Sequence, residues 1–255
     1  MKMKRGIVAG SMVCLFWGSV MAANIAPRYQ FVTLKPGEHA WGIYTLTNDE
    51  NEKLNVTAEA KDWFVLPENN GIGATTWLTF KKPKFLLKKG KTKKVKFYVV
   101  APEKAKGELV GMVSFLIEGE KVMDLNRRLS SAVYVGIEGT EELKGELSAF
   151  SIKLGTNSVS AGVVVENKGN VHLRPKGHFD ISTSSGLPVA ALSIDEGGVA
   201  YPGKNQSFFG TLNGVSLGEG EYVVKISLQD IDRQKEFVQV EKKFLINKEG
   251  QVELK

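Results

Sequence analysis

KKGKTKKVKFYVVAPEKAKGELVGMVSF, from Lys88 to Phe115, decides the fold. Gly90 marks a turn, Thr92 to Val100 has the pattern of a half-buried strand, Pro102 to Gly107 is a second turn, and a strand resumes at Glu108. The same grammar returns in YPGKNQSFFGTLNGVSLGEGEYVVKISL, from Tyr201 to Leu228. Gly90 precedes the Gly107–Glu108 pair by 17 residues, and Gly203 precedes Gly220–Glu221 by 17. Equal spacing, turn chemistry and strand pattern point to two copies of one fold.

Outward from these stretches, strands recur every few residues between turns built from Gly, Pro and Asn. Tyr29 to Leu34, Trp41 to Asn48, Leu54 to Trp63, Trp77 to Phe80, Lys84 to Leu87 and a long alternating run from Lys121 to Ile137 complete a first domain. Gly145 to Leu154, Ser158 to Asn167, Val171 to Ser182 (interrupted at Pro175), Pro188 to Ile194 and Phe237 to Ile246 complete a second. The turn Asn167-Lys168-Gly169-Asn170 is the counterpart of Asn48 to Asn51. Gly and β-branched content argues against helices. The expectation is an all-β chain with two tandem immunoglobulin-like β-sandwich domains. The boundaries are 1–22 for a cleaved leader, 23–137 for the first domain, 138–144 for a short acidic linker, 145–247 for the second domain and 248–255 for a charged, frayed tail.

Lys2, Lys4 and Arg5 precede an apolar run from Ile7 to Val20, and Val20-Met21-Ala22 offers small residues at a cleavage site. This is the pattern of a secretory signal peptide. It holds three basic residues and no acidic one, so the net charge of +6 falls to +3 on its removal. That is no argument for nucleic acid. The sole cysteine, Cys14, leaves with the leader, which excludes disulfides, thiolate metal ligands and a cysteine nucleophile. No later apolar run reaches membrane-spanning length. The expected compartment is the periplasm of a bacterial envelope.

The search for catalytic chemistry is negative. No G-x-S-x-G, H-E-x-x-H or phosphate loop is present. His172 and His178 lie six apart without a third ligand and read as surface or turn residues; Asp230 and Asp232 fall at a turn, where Asp is favoured for its own sake. The reading is a protein that is not an enzyme, with no metal and no cofactor. The densest feature is basic: nine lysines fall between Lys81 and Lys96. On a strand, Lys94 and Lys96 share a face opposite Val95, Phe97 and Val99. Lys91, Lys93, Lys94 and Lys96 are either a docking stripe for an acidic partner, polysaccharide or anionic surface, or a guard on an exposed edge. Of Trp41, Trp63 and Trp77, at least one is expected at the surface.

The chain resembles the periplasmic pilus-assembly chaperones of the chaperone–usher pathway. Arg28 lies where that family places an arginine in its first strand. Lys84 to Gly90 with Lys93 to Phe97 looks like the family's P-x-F-x-L-x-P-G strand pair, Ala101-Pro102 like its Leu-Pro turn, and Leu129 to Ile137 like the strand that leads to the second domain. The resemblance implies a chaperone that binds a pilus or surface-protein subunit, with an outer-membrane assembly protein as a further partner. An arginine and a lysine in an interdomain cleft anchor the subunit's terminal carboxylate, and the last first-domain strand adds to the subunit's open sheet. Arg28 matches the arginine. Ser130-Ser131-Ala132 stands where the lysine is expected, with Arg127 or Arg128 as substitutes upstream. The exposed face of the donor strand is expected to show Arg128, Ser130, Ala132 and Tyr134, with Leu129, Val133 and Val135 in the core. The other reading is a structural or adhesive Ig-like envelope module for protein or glycan partners.

Overall fold

The computed structural model describes residues 5–6, 23–118, 126–194 and 198–255. The chain divides into two compact units between Glu141 and Glu142. Both are β-sandwiches.

The strands of the first unit are β1 (Arg5–Gly6), β2 (Ala23–Ala26), β3 (Tyr29–Leu34), β4 (His39–Asn48), β5 (Leu54–Phe64), β6 (Leu78–Phe80), β7 (Lys84–Leu87), β8 (Thr92–Val100), β9 (Glu108–Glu118) and β10 (Arg127–Ile137). One sheet runs β1–β4–β8–β6 with β2 also on β4; the other runs β3–β10–β9–β5–β7. Period-two alternation sends Tyr44 and Leu46, Val95 to Val99 at every second position, Val113 to Ile117 likewise, and Val133, Val135 and Ile137 into one core between the sheets. Tyr44 joins the layers: its ring stacks on Phe97 at 5.4 Å, and its hydroxyl donates to the Ala132 carbonyl at 2.9 Å.

The second unit holds β11 (Gly145–Gly155), β12 (Ser158–Asn167), β13 (Pro175–Thr183), β14 (Pro188–Ile194), β15 (Asn205–Asn213), β16 (Gly220–Asp230), β17 (Lys235–Ile246) and β18 (Val252–Leu254). Its sheets run β11–β12–β15 and β14–β13–β16–β17–β18. Val159, Val163, Phe179, Val224, Ile226 and Phe244 lie in its core.

The two repeated stretches occupy equivalent places. β8 and β15 each lie beside the strand that ends in a buried Asn, and each is followed by a strand of the opposite sheet, β9 or β16. The Asn makes the same latch in both units. The Asn48 amide donates to the carbonyls of Glu52 (2.8 Å) and Leu87 (3.1 Å) and its oxygen accepts from Glu50 N–H (2.9 Å). The Asn167 amide donates to Val171 and Ala200 (2.7 Å each) and accepts from Gly169 N–H (3.0 Å). The Asn48 backbone pairs with Gly90 and Lys91, and that of Asn167 with Gly203 and Lys204. Gly90 and Gly203 sit at φ +64° and +69°, a region that a Cβ disfavours.

Three segments depart from the sequence expectation. Trp77 ends a helical turn, α1 (Ala74–Trp77), instead of opening a strand. Asp62 caps the turn by accepting from Ala74 N–H, and Trp77 enters the core over Gly111, where a Cβ would meet its ring at 2.9 Å. The strand read from Val171 begins only at Pro175; ahead of it Leu173 makes one isolated bridge to Ala200. The tail expected to fray folds back instead. Asn247 Oδ1 accepts from Glu249 and Gln251 N–H, Gly250 takes φ +75°, and β18 pairs with β17. The expected leader beyond Arg5–Gly6, and the part of the alternating run at 121–125, fall outside the described residues.

Removing either latch takes a buried donor away: the Leu87 carbonyl loses Asn48, and the Ala200 carbonyl keeps only the Leu173 N–H. Asn48→Ala and Asn167→Ala are each expected to cost about 3 kcal/mol, read as a lowered urea midpoint. Unchanged midpoints would mean that the latch is dispensable.

Candidate functional site

The strand that the resemblance implies as the donor is β10. On one side it pairs antiparallel with β9 from Arg127 to Gly136. On the other it pairs with β3 only from Ala132 to Ile137. Over residues 128–131 that second edge has no strand beside it among the described residues. The cause is the path of the chain: β2 pairs with β4 in one sheet, the chain crosses at Pro27–Arg28, and β3 starts in the other sheet at Tyr29. Ser131 secures the crossing, its buried hydroxyl lying 2.7 Å from the Arg28 carbonyl and 3.2 Å from that of Pro27. Ser130 Oγ lies 2.8 Å from Ser114 Oγ on β9.

Arg28 is exposed beside this edge. Arg127 and Arg128, the substitutes for the missing lysine, both hold carboxylates of their own unit. Arg127 grips Glu50 with two bonds of 2.5 and 2.8 Å, and Arg128 meets Glu59 at 3.0 Å. Leu129 packs partly against the core, and Ala132 is half-buried. Tyr134, expected outside, is 2% exposed. It lies edge-to-face with Tyr29 at 6.1 Å, so the side of β10 opposite Val133 and Val135 carries packed rings as well as polar groups. Burial pushes the Tyr44 hydroxyl, which reaches this strand from the other sheet, well above the usual phenol range.

The lysines take the faces read for them. Lys94 and Lys96 are exposed while Val95, Phe97 and Val99 are buried. β6 covers β8 only at Phe97–Val99, so Thr92 to Lys96 line a half-edge that is open among the described residues. Lys91 is exposed in the turn before it, and Lys93 lies 4.7 Å from the Phe85 ring. Of the tryptophans, Trp77 is core, Trp63 is 52% exposed and Trp41 is half-buried.

His172 corrects the surface reading: it is fully buried in the second unit, with Nε2 2.8 Å from Asp232, which also meets Arg174 Nε at 3.2 Å. Buried Asp230 accepts from the backbone N–H of Arg174 and Arg233. No local pattern marks this cluster, because its members lie some sixty residues apart. His178 is half-exposed and meets Asp180. Among the described residues no group of three or more His, Cys, Asp or Glu could hold a metal, and no helix is long and apolar enough to cross a membrane.

No protein-family model and no curated protein matches this sequence. Among solved structures the chain is similar to the YadV chaperone, at 16% identity and a TM-score of 0.43, covering 87% of this chain and 98% of that one. It is also similar to the E. coli chaperone DraB, at 11% identity and a TM-score of 0.40 over 87% and 97% of the two chains. A third similarity is to a Salmonella enterica structure of the SafA pilin in complex with the SafB chaperone, at 12% identity and a TM-score of 0.41 over 88% and 97%.

The Arg127–Glu50 pair predicts a pH dependence. Hydrogen bonds from Arg127 hold the Glu50 carboxyl below its ordinary range. A carboxyl whose pKa is lower folded than unfolded stabilises at neutral pH, and that contribution is lost as pH falls through the folded value. Arg127 is about half exposed, so Glu50→Gln should cost no more than about 1 kcal/mol at neutral pH. The deficit should shrink on acidification, as measured by urea midpoints across pH; a deficit constant with pH would contradict it.

Proposed function

We propose that this protein is a non-enzymatic periplasmic chaperone-like protein that binds a pilus or surface-protein subunit by strand addition at β10. The observation that carries the reading is the register of that strand: β3 joins it only from Ala132 onward, which leaves residues 128–131 with one bare edge among the described residues. A bare edge is a template for another chain, and main-chain hydrogen bonds supply affinity whatever the partner's sequence. Arg28, exposed at the crossing, is the residue that would grip a subunit's terminal carboxylate, because its planar fork matches the two oxygens. Arg127 and Arg128 serve the unit's own carboxylates and frame the edge. An outer-membrane assembly protein is a further partner under this reading.

The test is recovery of the tagged protein from its own periplasm, wild type beside Arg28→Ala. A small β-rich subunit should accompany the wild type, and the variant should lose most of it while keeping the wild-type circular dichroism. In the complex, the amides among residues 128–131 that point away from β9 should gain protection from hydrogen exchange. A subunit retained unchanged by the variant would remove Arg28 from the mechanism. A complex in which those amides stay unprotected would remove strand addition.

A further inference from the structure

The outward face of the β4–β8 sheet carries aromatic rings, ammonium groups and hydroxyls together. Register sets Trp41 opposite Tyr98, Ile43 opposite Lys96 and Thr45 opposite Lys94, and the alternate residues Tyr44, Val95, Phe97 and Val99 point into the core. Lys96 Nζ stands 3.9 Å from the Trp41 ring centroid and 5.3 Å from that of Tyr98, and Nζ of Lys81, just past β6, stands 5.0 Å from the Tyr98 centroid. Residues 69–102 contain nine lysines and no Asp or Glu. None of the nine makes an ion pair among the described residues, whereas Lys61–Glu59, Arg127–Glu50 and Arg128–Glu59 pair in the same unit.

Edge protection accounts for lysines along the open half of β8. It does not account for two rings side by side on a sheet surface, or for two lysines fifteen residues apart converging on them. We propose that this face binds a linear acidic polysaccharide. Alternate residues on a strand are roughly 7 Å apart, so Lys94, Lys96 and the Trp41–Tyr98 pair form a line along which successive sugars can lie. Carboxylates meet the ammonium groups, the rings beneath hold Lys96 and Lys81 in place by cation–π contact, and Thr45 offers a hydroxyl. The geometry favours this ligand over a lipid bilayer. Rings that anchor at a membrane surface reach into the headgroup boundary, whereas Trp41 and Tyr98 are half-buried in the sheet with lysines above them. The face is separate from the β10 edge, which lies in the other sheet.

The probe is sodium polygalacturonate, titrated against the full chain, with uncharged dextran and vesicles of phosphatidylcholine containing phosphatidylglycerol as comparisons. Polygalacturonate should bind in a salt-sensitive manner and dextran should not. The double variant Lys94→Gln/Lys96→Gln should bind roughly tenfold more weakly or worse, and Trp41→Ala should also bind more weakly. Lys242→Gln/Lys243→Gln in the second unit should bind as wild type does. Thermal melting of each variant checks that it is folded. Three outcomes overturn the proposal: no binding of polygalacturonate, vesicles bound in preference to it, or wild-type affinity in both Lys94→Gln/Lys96→Gln and Trp41→Ala.

Discussion

A strand that ends inside a sandwich leaves backbone groups facing a dry interior, and each must find a partner or destabilise the fold. Asn48 and Asn167 meet that demand in their respective units. A short amide side chain offers two donors and an acceptor within reach of its own turn, so one residue closes the turn after its strand and also ties down the chain that enters the neighbouring strand. Each Asn amide bonds one carbonyl four residues on and a second some 33 to 39 residues away. Gly90 and Gly203 adopt the left-handed conformation of their turns at no steric cost because no Cβ is present. β8 and β15 are thereby held in register, and with them the passage from one sheet to the other. The remaining core positions follow from alternation once that register is set.

The same accounting explains where the first unit is incomplete. β2 and β3 divide one stretch of chain between two sheets, and the crossing at Pro27–Arg28 is held by the buried Ser131 hydroxyl. A chain that serves both sheets cannot line the whole of either edge. β10 is therefore covered along its second half and, among the described residues, bare ahead of it. The exposed arginine at the crossing and the bare edge are consequences of one geometric fact, which is why they are read as one site. On the opposite sheet the surface has another character, in which lysine ammonium groups stand over aromatic rings.

Much of this was legible beforehand because sandwich cores obey a local rule. Val95, Phe97 and Val99 could be placed inside, and Lys94 and Lys96 outside, from period two alone. The paired glycine spacings announced two copies, and the turn after Asn167 could be matched to that after Asn48. Tyr134 was misplaced because alternation tells which side of a strand a residue takes, not whether that side is bare. Trp77 was misread because a one-turn helix leaves no periodic trace, and its cap, Asp62, lies twelve residues away. His172 carried no local signal at all, since its burial depends on Asp232 and on a turn sixty residues later.

The amino-acid sequence by itself determined the all-β class, the two copies, the turns and the inward and outward faces of the strands, because each depends on residues within a few positions of one another. Only the tertiary structure decided which strands share a sheet, where β3 leaves the edge of β10 open, which arginines already hold a carboxylate, and that the C-terminal segment returns as β18. Those outcomes rest on contacts between residues distant in the chain. Hydrogen bonding between strands is indifferent to side-chain identity, so no short stretch of sequence can announce its own partner.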